Sequence, residues 1–188
     1  MGSSSRAVCL FCGSRPGINP AFISEARAFG TLLAERGHRL VYGAGDRGLM
    51  GETARAVQMA GGHVTGVIPQ HLVDAEIGKD DVDDYIVTSN MHERKMLMFE
   101  RSEAIVTLPG GPGTLDELIE VLTWRQLGLH AKPLILLNVQ GYWDPLLNLL
   151  NSTVSNGFAD ASVLDYLTVT QTAAGIVDAI EAAPYPEK

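Results

Sequence analysis

Pro109-Gly110-Gly111-Pro112-Gly113-Thr114-Leu115-Asp116-Glu117 is the stretch whose residue types and spacing suit chemistry best. Gly110, Gly111 and Gly113 lack the β-carbons that would keep a ligand off the backbone. Apolar residues at helical spacing follow, so the run opens a helix. The first amides of a helix have no intrahelical partner and carry the positive end of its dipole. That combination is an anion site, suited to a phosphate. Glu117 then stands one turn into the helix, within reach of whatever the phosphate carries. A second explanation fits the same residues, because Thr114-x-x-Glu117 also has the spacing of a capping box.

Met91-His92-Glu93-Arg94-Lys95 is the other charged candidate. Two adjacent cations near a helix start oppose the preference for acids there. A phosphate or carboxylate partner would account for them; a solvated basic turn is the alternative. Met91, Met96 and Met98 are expected in packing or at an interface. Gly43-Ala44-Gly45-Asp46-Arg47-Gly48 matches the dinucleotide fingerprint G-x-G-x-x-G. It follows the second strand, however, and Ile68-Pro69 stands where an acid should close the next one. It is expected to line a shared nucleotide crevice rather than to hold NAD. Cys9 and Cys12 form a lone C-x-x-C within and just after an apolar run. Their side chains point to opposite faces of a strand, so buried structural thiols are expected. The five histidines show no metal spacing, and no metal or organic cofactor is expected.

The elements that must position these residues alternate. Strands are expected at 7–11, 39–42, 63–68, 84–88, 104–108, 133–138 and 167–170. Helices are expected from Asn19-Pro20 to Gly37, from the second glycine turn through Ala60, from Met91 to Arg101, and from Thr114 to Gly128. Two more start at Asp144-Pro145 and at Gln171, and 69–81 is expected to be irregular. The pattern predicts an α/β fold, a doubly wound, mostly parallel sheet with helices on both faces. Ligands on such sheets sit beyond the carboxyl ends of the strands. The glycine turns at 13–17, 43–48 and 110–113 all fall there, so they can converge on one crevice.

The 188 residues are expected to form a single domain, 1–188, with residues 1–5 a loose tail. A net charge of -8 argues against binding a nucleic-acid backbone. No apolar run reaches the ~18 residues of a membrane helix. The first residues lack a signal peptide's apolar core, so the cytoplasm is the expected location.

Pro109 to Glu117 resembles the P-G-G-x-G-T-x-x-E signature of the Lonely Guy (LOG) family, cytokinin-activating nucleoside 5′-monophosphate phosphoribohydrolases often labelled lysine decarboxylase-like. The resemblance runs through most of the chain. It takes in Phe11 to Ser14, Gly48 to Gly51, Val67-Ile68-Pro69, Met91-His92-x-Arg94-Lys95, Thr123-Trp124, Gln126-Leu127-Gly128 and His130-x-Lys132-Pro133. It implies a Rossmann-like single domain, a homodimer, no cofactor, and hydrolysis of the N-glycosidic bond of an adenine-type nucleotide. It implies that Arg94 and Glu117 are the catalytic pair. Glu76, Lys95, Gly110, Gly111, Pro112, Gly113, Thr114, Leu115, Asp116 and Thr123 would bind the substrate. Ala44, Arg15 and Pro112 depart from residues usual in the family.

Overall fold

The computed structural model describes residues 5–75 and 78–185. Seven parallel strands form its sheet: β1 (Ala7–Phe11), β2 (Arg39–Tyr42), β3 (Val64–Pro69), β4 (Asp84–Thr88), β5 (Ala104–Thr107), β6 (Leu134–Leu137) and β7 (Leu167–Thr170). Their order is β4-β3-β2-β1-β5-β6-β7. The chain winds outward from β1 in one direction, then returns to pair β5 with β1 and winds outward in the other. The topological switch point therefore lies between β1 and β5, where ligands of such folds bind.

Alternation along β1 explains why both faces are covered. Ala7, Cys9 and Phe11 pack into one core, while Val8, Leu10 and Cys12 pack into the other. Both free thiols are buried, on opposite sides of the sheet. The core holding Val8 and Leu10 takes Phe29 and Leu33 from α1 (Pro20–Glu35), Leu49 and Val57 from α2 (Gly48–Met59), and Ile176 and Ile180 from α8 (Ala173–Ala182). The core holding Cys9 and Phe11 takes Met98 from α4 (Met91–Glu100), Leu118 and Val121 from α5 (Pro112–Gln126), and Leu146 and Leu150 from α6 (Asp144–Ser155). Strands buried on both faces read as continuous apolar runs, as Ala104-Ile105-Val106 and Leu134-Ile135-Leu136-Leu137 do.

Three short elements depart from the expected pattern. Residues 69–81 contain a five-residue helix, α3 (Gln70–Asp74), and a 3-10 turn spans Val139–Gly141. A single turn, α7 (Ser162–Asp165), precedes β7. Helices this short show no hydrophobic period. Glu76 lies outside the described residues.

The larger correction concerns α5. It begins at Pro112, with Gly111 as its N-cap and no side-chain cap bond. Thr114 is therefore the third helical residue and Glu117 the sixth. The capping-box explanation fails, because Pro112 is pre-set for the first helical position and starts the helix earlier.

Candidate functional site

Four segments from different parts of the chain surround a crevice of about 610 Å³ at the carboxyl ends of the strands. They are the turn after β1, the start of α2, the start of α4, and the loop from β5 into α5, with Tyr142 closing one side. The first and third glycine turns thus meet directly. The second contributes through Gly43, which makes room for Arg94, and through Leu49 and Met50, which follow it.

The α5 entrance is built to leave amides free. Its first intrahelical bond runs from the Leu115 amide to the Gly111 carbonyl, 3.1 Å. Proline at the first position has no N–H, so Gly113 and Thr114 carry the amides without an intrahelical partner. Gly110 must be glycine for local reasons, because a β-carbon there would lie 2.1 Å from the Thr114 hydroxyl oxygen. The Tyr142 hydroxyl donates to the Gly110 carbonyl at 2.5 Å, tying the loop to the segment that follows β6.

Arg94 is seated from below. Its Nε donates to the Val67 carbonyl at 3.0 Å and its Nη2 to the Gly43 carbonyl at 2.9 Å. These carbonyls belong to β3 and to the residue after β2, so the sheet itself orients the guanidinium. A β-carbon on Gly43 would fall 1.6 Å from Nη2. The first glycine of the G-x-G-x-x-G run therefore makes room for an arginine rather than for a dinucleotide. The helix carrying Arg94 is fixed at its start, where Asn90 accepts from the Glu93 amide and Glu93 accepts from Ser89.

The remaining nitrogen, Nη1, faces Glu117 Oε1 at 4.0 Å. Both residues are only 6% exposed. The Glu117 carboxylate accepts no hydrogen bond among the described residues, which leaves its oxygens available to a ligand or water. Burial pushes the Glu117 carboxyl up to about 7; Arg94 and Lys95 pull it down, and Asp116 and Glu120 push it up. Burial also lowers the Arg94 guanidinium, with Glu117 opposing.

Lys95 is placed differently from expectation. It does not line the crevice but bridges α4 to α5, its Nζ 3.0 Å from both Asp116 Oδ2 and Glu120 Oε2. Burial pulls its ammonium down, but the bonds to Glu120 and Asp116 outweigh this and hold it above its ordinary value. The adjacent cations of α4 thus find carboxylate partners, one of the two explanations open from the sequence. Gly110, Gly111, Pro112, Gly113, Thr114 and Asp116 all line the crevice together with Arg94 and Glu117. Leu115 is half-buried against the core that holds Phe11. Thr123 is exposed two turns further along α5, its hydroxyl given to the Ile119 carbonyl at 2.7 Å, and it does not line the crevice of its own chain. The sequence marks Phe22 only as part of the apolar stripe of the first helix and gives Tyr142 no role. They form an edge-to-face pair, centroids 5.3 Å apart, on the crevice wall. Among the described residues no cluster of His, Cys, Asp and Glu could hold a metal ion.

Residues 50–180 match the family model described as possible lysine decarboxylase. A probable cytokinin riboside 5′-monophosphate phosphoribohydrolase of Oryza sativa subsp. japonica is 49% identical over 160 residues, 85% of this chain and 70% of that protein. A cytokinin riboside 5′-monophosphate phosphoribohydrolase of Arabidopsis thaliana is 41% identical over 187 residues, 99% of this chain and 87% of that protein. The solved molybdenum cofactor binding protein from the phototrophic bacterium Rippkaea orientalis aligns with a TM-score of 0.73 at 23% identity, covering 95% of this chain and 97% of its own. That likeness is one of fold.

Proposed function

The chain belongs to the LOG family of cytokinin riboside 5′-monophosphate phosphoribohydrolases, and from that premise we propose how its crevice does the chemistry. The reaction is hydrolysis of the N-glycosidic bond of an adenine-type nucleoside 5′-monophosphate, giving the free base and ribose 5-phosphate. The observation that carries this is a buried carboxylate, without a hydrogen bond among the described residues, beside an arginine and next to free helix amides.

The 5′-phosphate binds at the Gly113 and Thr114 amides, where the α5 dipole favours it. That grip fixes the ribose relative to Glu117. As the C1′–N bond breaks, positive charge grows on the ribose and negative charge on the base. Ionised Glu117 faces the former and orients the attacking water, whose oxygen bonds to C1′. One of the water's protons stays on that oxygen as the new C1′ hydroxyl, and the other passes to the departing base, which leaves neutral. Arg94, held by two backbone carbonyls, keeps Glu117 in place and offers Nη1 to the substrate. Positioning of this kind supplies several kcal/mol of barrier reduction.

Lys95 acts here through Asp116 and Glu120, setting α5 against α4. A protonated lysine between two carboxylates is the opposite of the neutral amine that a Schiff base needs, which counts against the decarboxylase description. Glu76 remains a proposed substrate contact on the resemblance alone. Thr123 would reach a nucleotide only across a contact between copies. A homodimer supports that role, and Met96, Ile119, Leu127 and Leu129, exposed on α4, on α5 and just beyond it, suit such a contact. No helix among the described residues is long and apolar enough to cross a membrane; a cytoplasmic location is part of the same proposal.

Base release measured across AMP, isopentenyl-AMP, GMP and CMP tests the reading. Adenine-type nucleotides should be cleaved and adenosine far more slowly than AMP. Comparable kcat/KM for AMP and adenosine would remove the phosphate assignment. Nucleotide binding without any base release would leave only a binding module.

A further inference from the structure

The ionisable side chains lining the crevice, the buried thiol of Cys12 and the phenol of Tyr142 aside, are Arg15, Arg94, Asp116 and Glu117. Arg94 is committed to the Gly43 and Val67 carbonyls and faces Glu117. Lys95, behind the wall, is committed to Asp116 and Glu120. Without Arg15, the ionised lining would set one arginine against two acids, in a chain of net charge -8. A phosphate monoester carries close to two negative charges at neutral pH. Helix amides supply only about half a positive charge. Arg94 and the helix amides together do not neutralise the phosphate, so a further cation is called for.

Arg15 is the cation left over. It is exposed and makes no hydrogen bond or ion pair through its side chain among the described residues. The turn that carries it is nevertheless anchored two residues earlier, at Gly13. The Gly13 amide donates to the Pro109 carbonyl and the Leu49 amide to the Gly13 carbonyl, both at 3.0 Å. Gly48 passes so close that a β-carbon on it would lie 2.3 Å from the Arg15 nitrogen. The turn is thereby pinned against Pro109 and Gly110, just ahead of the free amides of α5. A cation on a rigid turn beside an anion cradle, with no partner of its own, is a binding group awaiting an anion.

We infer that Arg15 pairs with the substrate's 5′-phosphate and is the residue by which this crevice selects phosphorylated over neutral nucleosides. The inference rests on the nucleotide reading of the crevice. Arginine suits the task because its planar fork grips two phosphate oxygens at once.

The test compares the parent protein with Arg15→Gln and Arg15→Lys. Calorimetry would measure ribose 5-phosphate as the anionic probe and adenosine as the neutral one. Base release from AMP would be followed alongside. Arg15→Gln should weaken ribose 5-phosphate binding at least tenfold and raise the KM for AMP by a similar factor. Arg15→Lys should recover part of the loss. Adenosine affinity and melting temperature should stay at the parent values in both. Ribose 5-phosphate affinity within twofold of the parent in Arg15→Gln, with AMP still hydrolysed, overturns the inference and leaves the function standing. Arg15-dependent binding of ribose 5-phosphate in a protein that releases no adenine does the reverse. A joint fall in adenosine affinity and melting temperature would show a structural role and also overturn it.

Discussion

Glu117 is the residue whose environment makes the strongest commitments. Its carboxyl is raised from 4.5 to about 7 by burial, so the folded state holds a proton between those values that the unfolded state has lost. Stability contributed by this group is therefore highest at low pH and falls as pH rises through that window. The loss is about 3 kcal/mol. Glu117→Gln should abolish that slope, so the variant gains on the parent as pH rises from 4.5 to 7; parallel denaturation curves across the window would contradict the burial argument. The same substitution should lower kcat on the order of 10²–10³-fold with binding kept, because the amide lacks the charge proposed to face the ribose. In the parent, kcat/KM should climb with pH as Glu117 ionises. Gly43→Ala makes a second prediction at this scale. The new methyl occupies the Arg94 Nη2 position and must unseat the guanidinium. Activity should fall on the order of a hundredfold or more, as it should in Arg94→Lys, whose single ammonium cannot reproduce the planar fork that serves both carbonyls. A Gly43→Ala enzyme of near-parent turnover would mean that Arg94 does not need its seat.

At the scale of elements, α5 goes without a side-chain cap, which is what the proposed phosphate site requires. An uncapped start at Gly111 leaves amides open that a side-chain oxygen would otherwise fill. Gly111 has φ -95°, and nothing lies within 4 Å of where its β-carbon would stand, so another residue fits there. Gly111→Asp should cap the helix and complement its dipole, stabilising the protein by about 0.5–1 kcal/mol. The same carboxylate occupies and repels the phosphate site, so the KM for AMP should rise roughly tenfold or more. A variant that gains stability with unchanged KM would place the phosphate elsewhere. The bridge from Lys95 to Asp116 and Glu120 works at this scale too, locking the helix of Arg94 to the helix of Glu117.

For the whole molecule, the crevice joins segments that wind outward on both sides of the switch point. A nucleotide bound there ties residues 12–17, 91–94, 109–117 and Tyr142 together, and its binding energy adds to global stability. Glu117→Gln, which should bind with turnover slowed on the order of 10²–10³-fold, permits the measurement close to equilibrium. AMP at about a hundredfold excess over its Kd should contribute about 2.7 kcal/mol. For a chain of this size that is a rise in Tm of roughly 5–10 °C. Adenosine at the same concentration should give little or no shift, and equal shifts for the two would argue against a phosphate-centred site.

Local chemistry alone determined much of this protein. The strands and the long helices follow from apolar periodicity and glycine or proline punctuation. The glycine turn running into a helix start, on which the proposed phosphate site rests, is legible too, because all of it lies within a few residues. The same locality misplaced the start of α5, since Thr114-x-x-Glu117 has a capping spacing and only the backbone path through Gly111 and Pro112 shows that Glu117 is too deep to cap. It also passed over α3 and α7, which span too few residues to show a period. Tertiary structure decided the rest. The carbonyls that seat Arg94 lie 27 and 51 residues away, and the carboxylate that meets Lys95 at Asp116 lies 21 away. Pairings over such distances depend on strand order and on how far each helix slides along the sheet. The raised carboxyl of Glu117 depends on them as well, because burial is a property of the packed core around a residue and not of its neighbours in the chain.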